Sequence, residues 1–203
     1  MNGGRLERRK AQTRAALVDA ARTILTSRDP AGVSIQEITE AADVGFGSFY
    51  NHFPSKQELF DLAVATAAAE HRALLDVATA GLTDPAEALA VAVRVTARFP
   101  RTYADLARLI DRVGTGYPAA YRIDALRHAH DVGRLCFDDA EVALACVNGA
   151  VLGVLHHSLH ADDQTIDDAA DRLAVGLLRM FGLVEGDARK VVSRPLPTPP
   201  AAP

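Results

Sequence analysis

The chain has 203 residues, 49% of them apolar and only 5% aromatic, with no Trp and a formal charge of −4. That apolar share excludes a mainly disordered chain, and the shortage of aromatics argues for helices over a β-sandwich or barrel. The charge is uneven: residues 1–30 hold seven basic groups against three acids, or +4, leaving −8 for the rest, so one end suits an anionic partner.

In chain order, Leu17, Ala20, Ala21, Ile24 and Leu25 recur at spacings of three and four and predict an amphipathic helix over 10–26. Arg5, Arg8, Arg9 and Lys10 stand before it, either as an arm on a phosphate backbone or minor groove or as a solvated charge run. Arg28-Asp29-Pro30-Ala31-Gly32 breaks the helix. Ser34-Ile35-Gln36-Glu37 has the form of a capping box and opens a short helix over 34–42, with Ile35, Ile38 and Ala42 on its buried face. Asp43-Val44-Gly45 is a tight connection to a third short helix, 45–51. Gly45 and Gly47 there cost about 1 kcal/mol each relative to Ala, so something other than helicity favours them, such as close approach of a partner. Phe53-Pro54 ends it. Ser55-Lys56-Gln57-Glu58 is a second capping box, starting a helix over 55–78.

Beyond Gly81–Pro85 the pattern predicts helices at 85–99, 102–113, 117–135, 139–160 and 165–181. Asp84-Pro85 and Asp138-Asp139 read as starts; Pro100, Gly114-Thr115-Gly116 and Gly182 read as stops. Residues 189–203 contain five prolines and predict an extended or disordered tail. No strand or internal repeat is predicted. The expected fold is all-α: a three-helix helix-turn-helix domain at 1–54, a helical body at 55–188 for effector binding and dimerisation, and the tail.

The longest apolar run, near 143–155, is interrupted by Asn148 and falls short of the ~20 residues a membrane span needs. No apolar stretch follows the basic start, as a secretory signal requires. Cys136 and Cys146 do not make a disulfide framework. A cytoplasmic protein with no membrane partner is the expectation.

Three short helices with a tight turn before the last also describe an ordinary helical hairpin. The stretch from Ser34 to Phe60 is more specific. Its Phe49-Tyr50-x-His52-Phe53-x-Ser55-Lys56-x-Glu58-Leu59 core resembles the DNA-binding domain of the TetR (tetracycline-repressor-like) family of bacterial regulators, over residues 9–60. The resemblance implies DNA contacts by Ser34, Gln36, Phe46, Ser48, Tyr50, His52 and Lys56. The chemistry of these side chains suits that role. Tyr50 and His52 carry polar tips on bulky bodies, Ser48 offers a hydroxyl, and Gln36 can donate and accept in a pair, as adenine readout needs. Lys56 sits at a helix start, where free N–H groups already attract an anion. Gly45 and Gly47 let the backbone sit close to the duplex. Asn51, Arg8 and Arg9 belong to the same candidate surface. Phe46 departs from the family, which often has a polar or basic residue there; it can pack on a thymine methyl or on a neighbouring helix. Phe49 and Phe53 are expected in the core with Ile38, Leu59 and Leu25.

The resemblance further implies a repressor that binds a palindromic operator as a homodimer and leaves it when a small effector occupies the body. Candidate pocket residues are Leu106, Leu109, Tyr117, Tyr121, Phe137, Leu152 and Met180, each equally readable as plain core. The last two predicted helices should form the dimer surface, with Gly149, Gly153, His156, Leu173 and Leu177. His156 and His160, four apart on one face, leave open an all-helical metal- or ligand-binding protein without DNA affinity, with His128, His130, Asp162 and Asp163 nearby in sequence. No phosphate loop, nucleophile elbow or H-E-x-x-H motif is present, so neither an enzyme nor a cofactor is expected.

Overall fold

The computed structural model describes residues 3–197. Every regular element among them is helical, and the chain divides into two compact units at Ala67/Ala68. The expected boundary at 54/55 therefore moves, because the first turns of a long helix belong to the first unit.

The first unit starts with α1 (Gly3–Ser27), followed by α2 (Ile35–Ala41), a 3₁₀ segment (Phe46–Asn51) and the start of α3 (Lys56–Thr79). The capping box forms as predicted: the Ser34 hydroxyl accepts from the Glu37 N–H at 3.2 Å, and the Glu37 carboxylate accepts from the Ser34 N–H at 2.8 Å. Asp43 takes a left-handed conformation, φ 51°, which Asp tolerates better than most residues, and turns the chain from α2 into the 3₁₀ segment. Leu17, Ile38, Phe49 and Leu59 are fully buried and Phe53 nearly so. Arg14 lies over the Phe53 ring at 5.0 Å, a cation–π contact.

One expectation fails here. Arg5, Arg8, Arg9 and Lys10 do not precede the first helix; they are part of it, and Arg8 Nε donates to the Gly4 carbonyl at 3.1 Å. Nothing between Leu6 and Lys10 breaks a helix, and Arg, Glu and Lys are strong helix formers.

The second unit contains the rest of α3 and then α4 (Pro85–Ala97), α5 (Phe99–Thr102), α6 (Ala104–Val113), α7 (Ile123–Asp131), α8 (Ala140–Ser158), α9 (Asp163–Met180) and α10 (Glu185–Val192). α4 is the hub. It is buried on nearly every side, as its run Leu89-Ala90-Val91-Ala92-Val93 requires, and it packs on α7, α8, α9 and α10. Asp84 caps it, accepting from the Ala86 N–H at 3.0 Å, and is gripped by both arms of Arg134 at 2.8 and 2.9 Å. Asp163, Asp167 and Asp171, four apart on α9, meet Arg94, Arg98 and Arg101.

Three boundaries differ from expectation. Pro100 opens the short α5 instead of stopping a helix, since a first-turn proline has no N–H to lose. The helix predicted over 117–135 shrinks to Ile123–Asp131: Pro118 disfavours a helical conformation at Tyr117, and Gly133, φ 69°, closes the far end. The tail does not begin at 189. Residues 189–192 complete α10, where Val191 and Val192 are buried, and the Arg194 carbonyl accepts from Arg94 Nη1 at 3.0 Å. The expected tail residues 198–203 lie outside the described residues.

Candidate functional site

The 3₁₀ segment presents a row of side chains outward from a rigid base. Phe49 anchors it in the core, and its ring meets Tyr50 edge-on at 5.4 Å and Phe53 at 6.0 Å. Phe46 and Tyr50 are 55% and 58% exposed and meet edge-on at 6.4 Å, so Phe46 is not spent on a neighbouring helix. Gly45 caps the segment, Ser48 is half-buried, and Asn51 and Gln36 are exposed. A side chain at Gly47 would meet no atom within 4 Å, so nothing inside the chain demands glycine there. Arg8 and Arg9 are exposed on α1.

Three candidate contacts are engaged or enclosed within the chain, and of these only the Ser34 capping box was legible in the sequence. The Lys56 ammonium donates to the carbonyls of Ala31 at 2.8 Å and Val33 at 2.9 Å, clamping the α1–α2 connection. Ser34 spends its hydroxyl on the capping box, donating to the Glu37 carboxylate at 2.8 Å. The Ser34 backbone N–H, together with Arg28 and the hydroxyl, holds Glu37 down at about 2. His52 is half-buried with Nδ1 enclosed and without a hydrogen-bond partner; burial, then the charges of Lys10 and Arg14, push its pKa down. Lys56 therefore braces the unit and His52 is partly enclosed in it, so a purely phosphate-facing role is not what their surroundings provide.

In the second unit, two chambers share Leu75, Ala92, Ala120 and Tyr121. The inner one, about 30 Å³, is further lined by His71, Val93, Thr96, Val147, Asn148 and Val151. The outer one, about 120 Å³, reaches Asp76, Thr79 and Arg122. Burial pushes Tyr121 up to about 12 and His71 down to about 3, with Arg72 adding to the latter. Of the seven pocket residues expected from sequence, Tyr121 lines both chambers; the other six are not among their lining. Leu106 and Leu109 are buried elsewhere, the Tyr117 ring is buried 6.0 Å from that of His71, Phe137 meets Phe181 edge-on and His130 at a tilt, Leu152 is half-buried, and Met180 is 51% exposed. His71 was missed, although a signal existed: it sits on the buried stripe of α3 that includes Ala68, Leu75 and Ala78, where a polar residue is informative.

α8 has the composition of a core helix but not the burial. It is 19 residues long with mean hydropathy 1.3, long and apolar enough to cross a membrane by those measures alone, yet only 17% of it is buried within the chain. The helix thus outruns the apolar stretch on which the sequence expectation rested. Val142, Ala145, Cys146, Gly149, Gly153 and His156 form an exposed stripe along it. Leu173 is half-buried and Leu177 is 5% exposed, so Leu177 belongs to the core of its own chain rather than to an outer surface. His156 Nδ1 pairs with Asp111 at 2.8 Å, and its ring lies 5.8 Å from that of His160; among the described residues no three ligating side chains converge on a metal-sized site.

Residues 17–63 match the family profile described as bacterial regulatory proteins, tetR family, and residues 84–194 match the one described as tetracyclin repressor-like, C-terminal domain. The chain belongs to the TetR family. Among solved structures, RolR in complex with resorcinol is similar, at 30% identity over 96% of this chain and 100% of RolR, with a TM-score of 0.66. SmeT, repressor of a multidrug efflux pump of Stenotrophomonas maltophilia, shares the TetR fold at 23% identity over 92% of this chain and 100% of its own, TM-score 0.65. Two uncharacterized HTH-type transcriptional regulators of Mycobacterium tuberculosis are 32% identical over 85 residues. That match spans 42% of this chain and 42% of each of those relatives. Within the TetR frame, the 3₁₀ segment occupies the second helix of the helix-turn-helix.

Proposed function

We propose that this TetR-family chain is a ligand-responsive repressor that binds a palindromic operator as a homodimer and is released by a small effector. The observation that carries the reading is the outward row of Phe46, Tyr50, Asn51 and Gln36 over the buried Phe49–Phe53 base. Gln36, on α2, also donates to the Glu40 carboxylate at 2.9 Å, and the exposed row has the right chemistry for base edges, thymine methyls and phosphates. The basic face of α1, with Arg8 and Arg9, extends the phosphate footprint. The first unit, 1–67, reads DNA; the second binds the effector and the second copy. Its chambers between α3, α4, α7 and α8 are the effector site, and RolR's complex with resorcinol supports a small molecule as the class of effector. The exposed stripe on α8 is the surface for a second copy: its glycines permit close helix approach, and covering it removes an apolar face that water would otherwise meet. Two recognition segments held about 34–36 Å apart, or a further turn, can then read one face of a duplex. α3 is the chain's connection between the units, so an effector that favours a DNA-incompetent arrangement acts through it. The protein works in the cytoplasm and catalyses no reaction.

The test is selection of duplexes from a random library by the purified full chain, at about 50 and 200 mM salt, where phosphate-driven binding weakens steeply. A palindromic site bound with positive cooperativity by two copies is expected. Enrichment of no sequence, or of a non-palindromic one bound by a single copy, contradicts the reading.

A further inference from the structure

The inner chamber of the second unit has a defined hydrogen-bonding polarity. Thr96 has one hydroxyl proton, and it goes to the Ala92 carbonyl at 3.0 Å. Toward His71, 2.9 Å away, the Thr96 oxygen can therefore only accept. That fixes the tautomer: Nε2 of His71 carries the proton, and Nδ1 is a bare lone pair. Nδ1 is buried and has no hydrogen-bond partner. The ring is 5% exposed, packed edge-on against Phe99 at 4.9 Å, and its burial keeps it uncharged. A buried acceptor without a donor is unfavourable, and whatever supplies the donor is held there.

The remaining lining narrows what that donor belongs to. Tyr121, Asn148 and Thr96 are polar but uncharged, and the other side chains around the inner chamber are aliphatic. No lining group of the inner chamber neutralises a carboxylate or an ammonium, so an ionised group seated beside His71 loses its hydration without compensation. About 30 Å³ beside His71 holds little more than the donor group, and the outer chamber of about 120 Å³ beyond Tyr121 takes the rest of a single ring.

We propose that the effector is an uncharged, ring-sized molecule whose hydroxyl or N–H donates to Nδ1 of His71. This rests on the reading of the second unit as the effector domain and adds the chemical class and the residue that selects it. The probes are phenol, which donates; anisole, similar in shape but without a donor; and benzoate, ionised at neutral pH. Affinities are measured by calorimetry on the full chain and on two variants. His71→Asn keeps an acceptor close to Nδ1, and His71→Phe keeps a ring without one; their melting curves establish that they fold. Wild type should bind phenol at least about tenfold more tightly than anisole and show no saturable binding of benzoate. The phenol preference should survive in His71→Asn and collapse to within about twofold in folded His71→Phe. In ¹⁵N-histidine spectra of wild type, Nδ1 should report a bare nitrogen that shifts on adding phenol and not on adding anisole. Equal affinity for phenol and anisole, an undiminished preference in folded His71→Phe, or no phenol binding at millimolar concentration with Nδ1 unmoved would each overturn the proposal. Operator binding is read separately by gel shift. Phenol binding through Nδ1 with no effect on operator affinity leaves the site intact and removes only its signalling role. Loss of operator binding altogether bears on the regulatory reading and not on His71.

Discussion

Replacing Lys56 with Met tests what that residue is for. The side-chain stem survives, but the ammonium that bridges the carbonyls of Ala31 and Val33 does not. Hydrogen bonds from a charged donor are each worth about 1.5–3 kcal/mol net. The bond to Ala31 lies in solvent, where water replaces it, whereas the bond to Val33 is half-buried, and Val33 itself is 1% exposed. The loss is therefore dominated by one bond, about 2 kcal/mol. That corresponds to roughly a 30-fold fall in the protection of amides whose exchange requires the α1–α2 connection to open. Hydrogen exchange on the full chain resolves this by segment: Val33 and the amides of α2 should lose protection, while those of α8 and α9 keep theirs. Operator affinity measured against salt separates the alternative. A residue whose main work is on a phosphate lowers the slope of log K on log salt by about one and leaves α2 protection alone. Wild-type protection in α2 of the Met variant would refute the clamp.

Tyr50→Ala should cost the first unit no more than about 1 kcal/mol, since the ring is mostly exposed and loses only edge contacts with Phe46 and Phe49, yet weaken operator binding on all sequences alike; unchanged anisotropy titrations with a folded variant remove Tyr50 from the interface. Gly153→Arg should give folded monomers in sedimentation, because a side chain there meets nothing in its own chain, whereas Leu177→Arg should unfold the second unit by placing a charge in its core. A dimeric Gly153→Arg chain contradicts the α8 interface. Acid stability offers a last check, because His71 stays neutral down to about 3 in the fold but titrates near 6.5 when unfolded. Between those values only the unfolded state takes up the proton, so stability falls as pH falls through that window, by up to ~1.4 kcal/mol per pH unit from this group. Urea melts at about pH 6 and 4.5 should show a smaller loss in His71→Phe than in wild type; parallel losses would mean that the ring is not held neutral.

Much of the first unit was legible because its signals are local. The Ser34–Glu37 box, the break at Pro30, the apolar spacing of α1 and the core placement of Phe49 and Phe53 each depend on residues within a few positions of one another, and each recurs in the structure. Asp84 and Asp139 were readable as helix starts for the same reason. Proline could be located but not interpreted from the chain: whether Pro100 stops a helix or opens one depends on the turn that follows it. The roles of Lys56 and Leu177 were beyond reach, and His71 showed only as a polar residue on a buried stripe, without its partner. Lys56 meets carbonyls more than twenty residues upstream, His71 is read through Thr96 twenty-five residues away, and Leu177 differs from an exposed leucine only by what lies against it. Helical periodicity states which residues share a face and is silent on which face is covered. α8 shows this most clearly: its sequence is that of a buried helix, and packing around α4 leaves its stripe open. Local spacing thus determined most of the helices, and the Phe49–Leu59 signature singled out the helix-turn-helix, while the partners of buried polar groups, and the surface left for another molecule, were decided only when segments far apart in the chain came together.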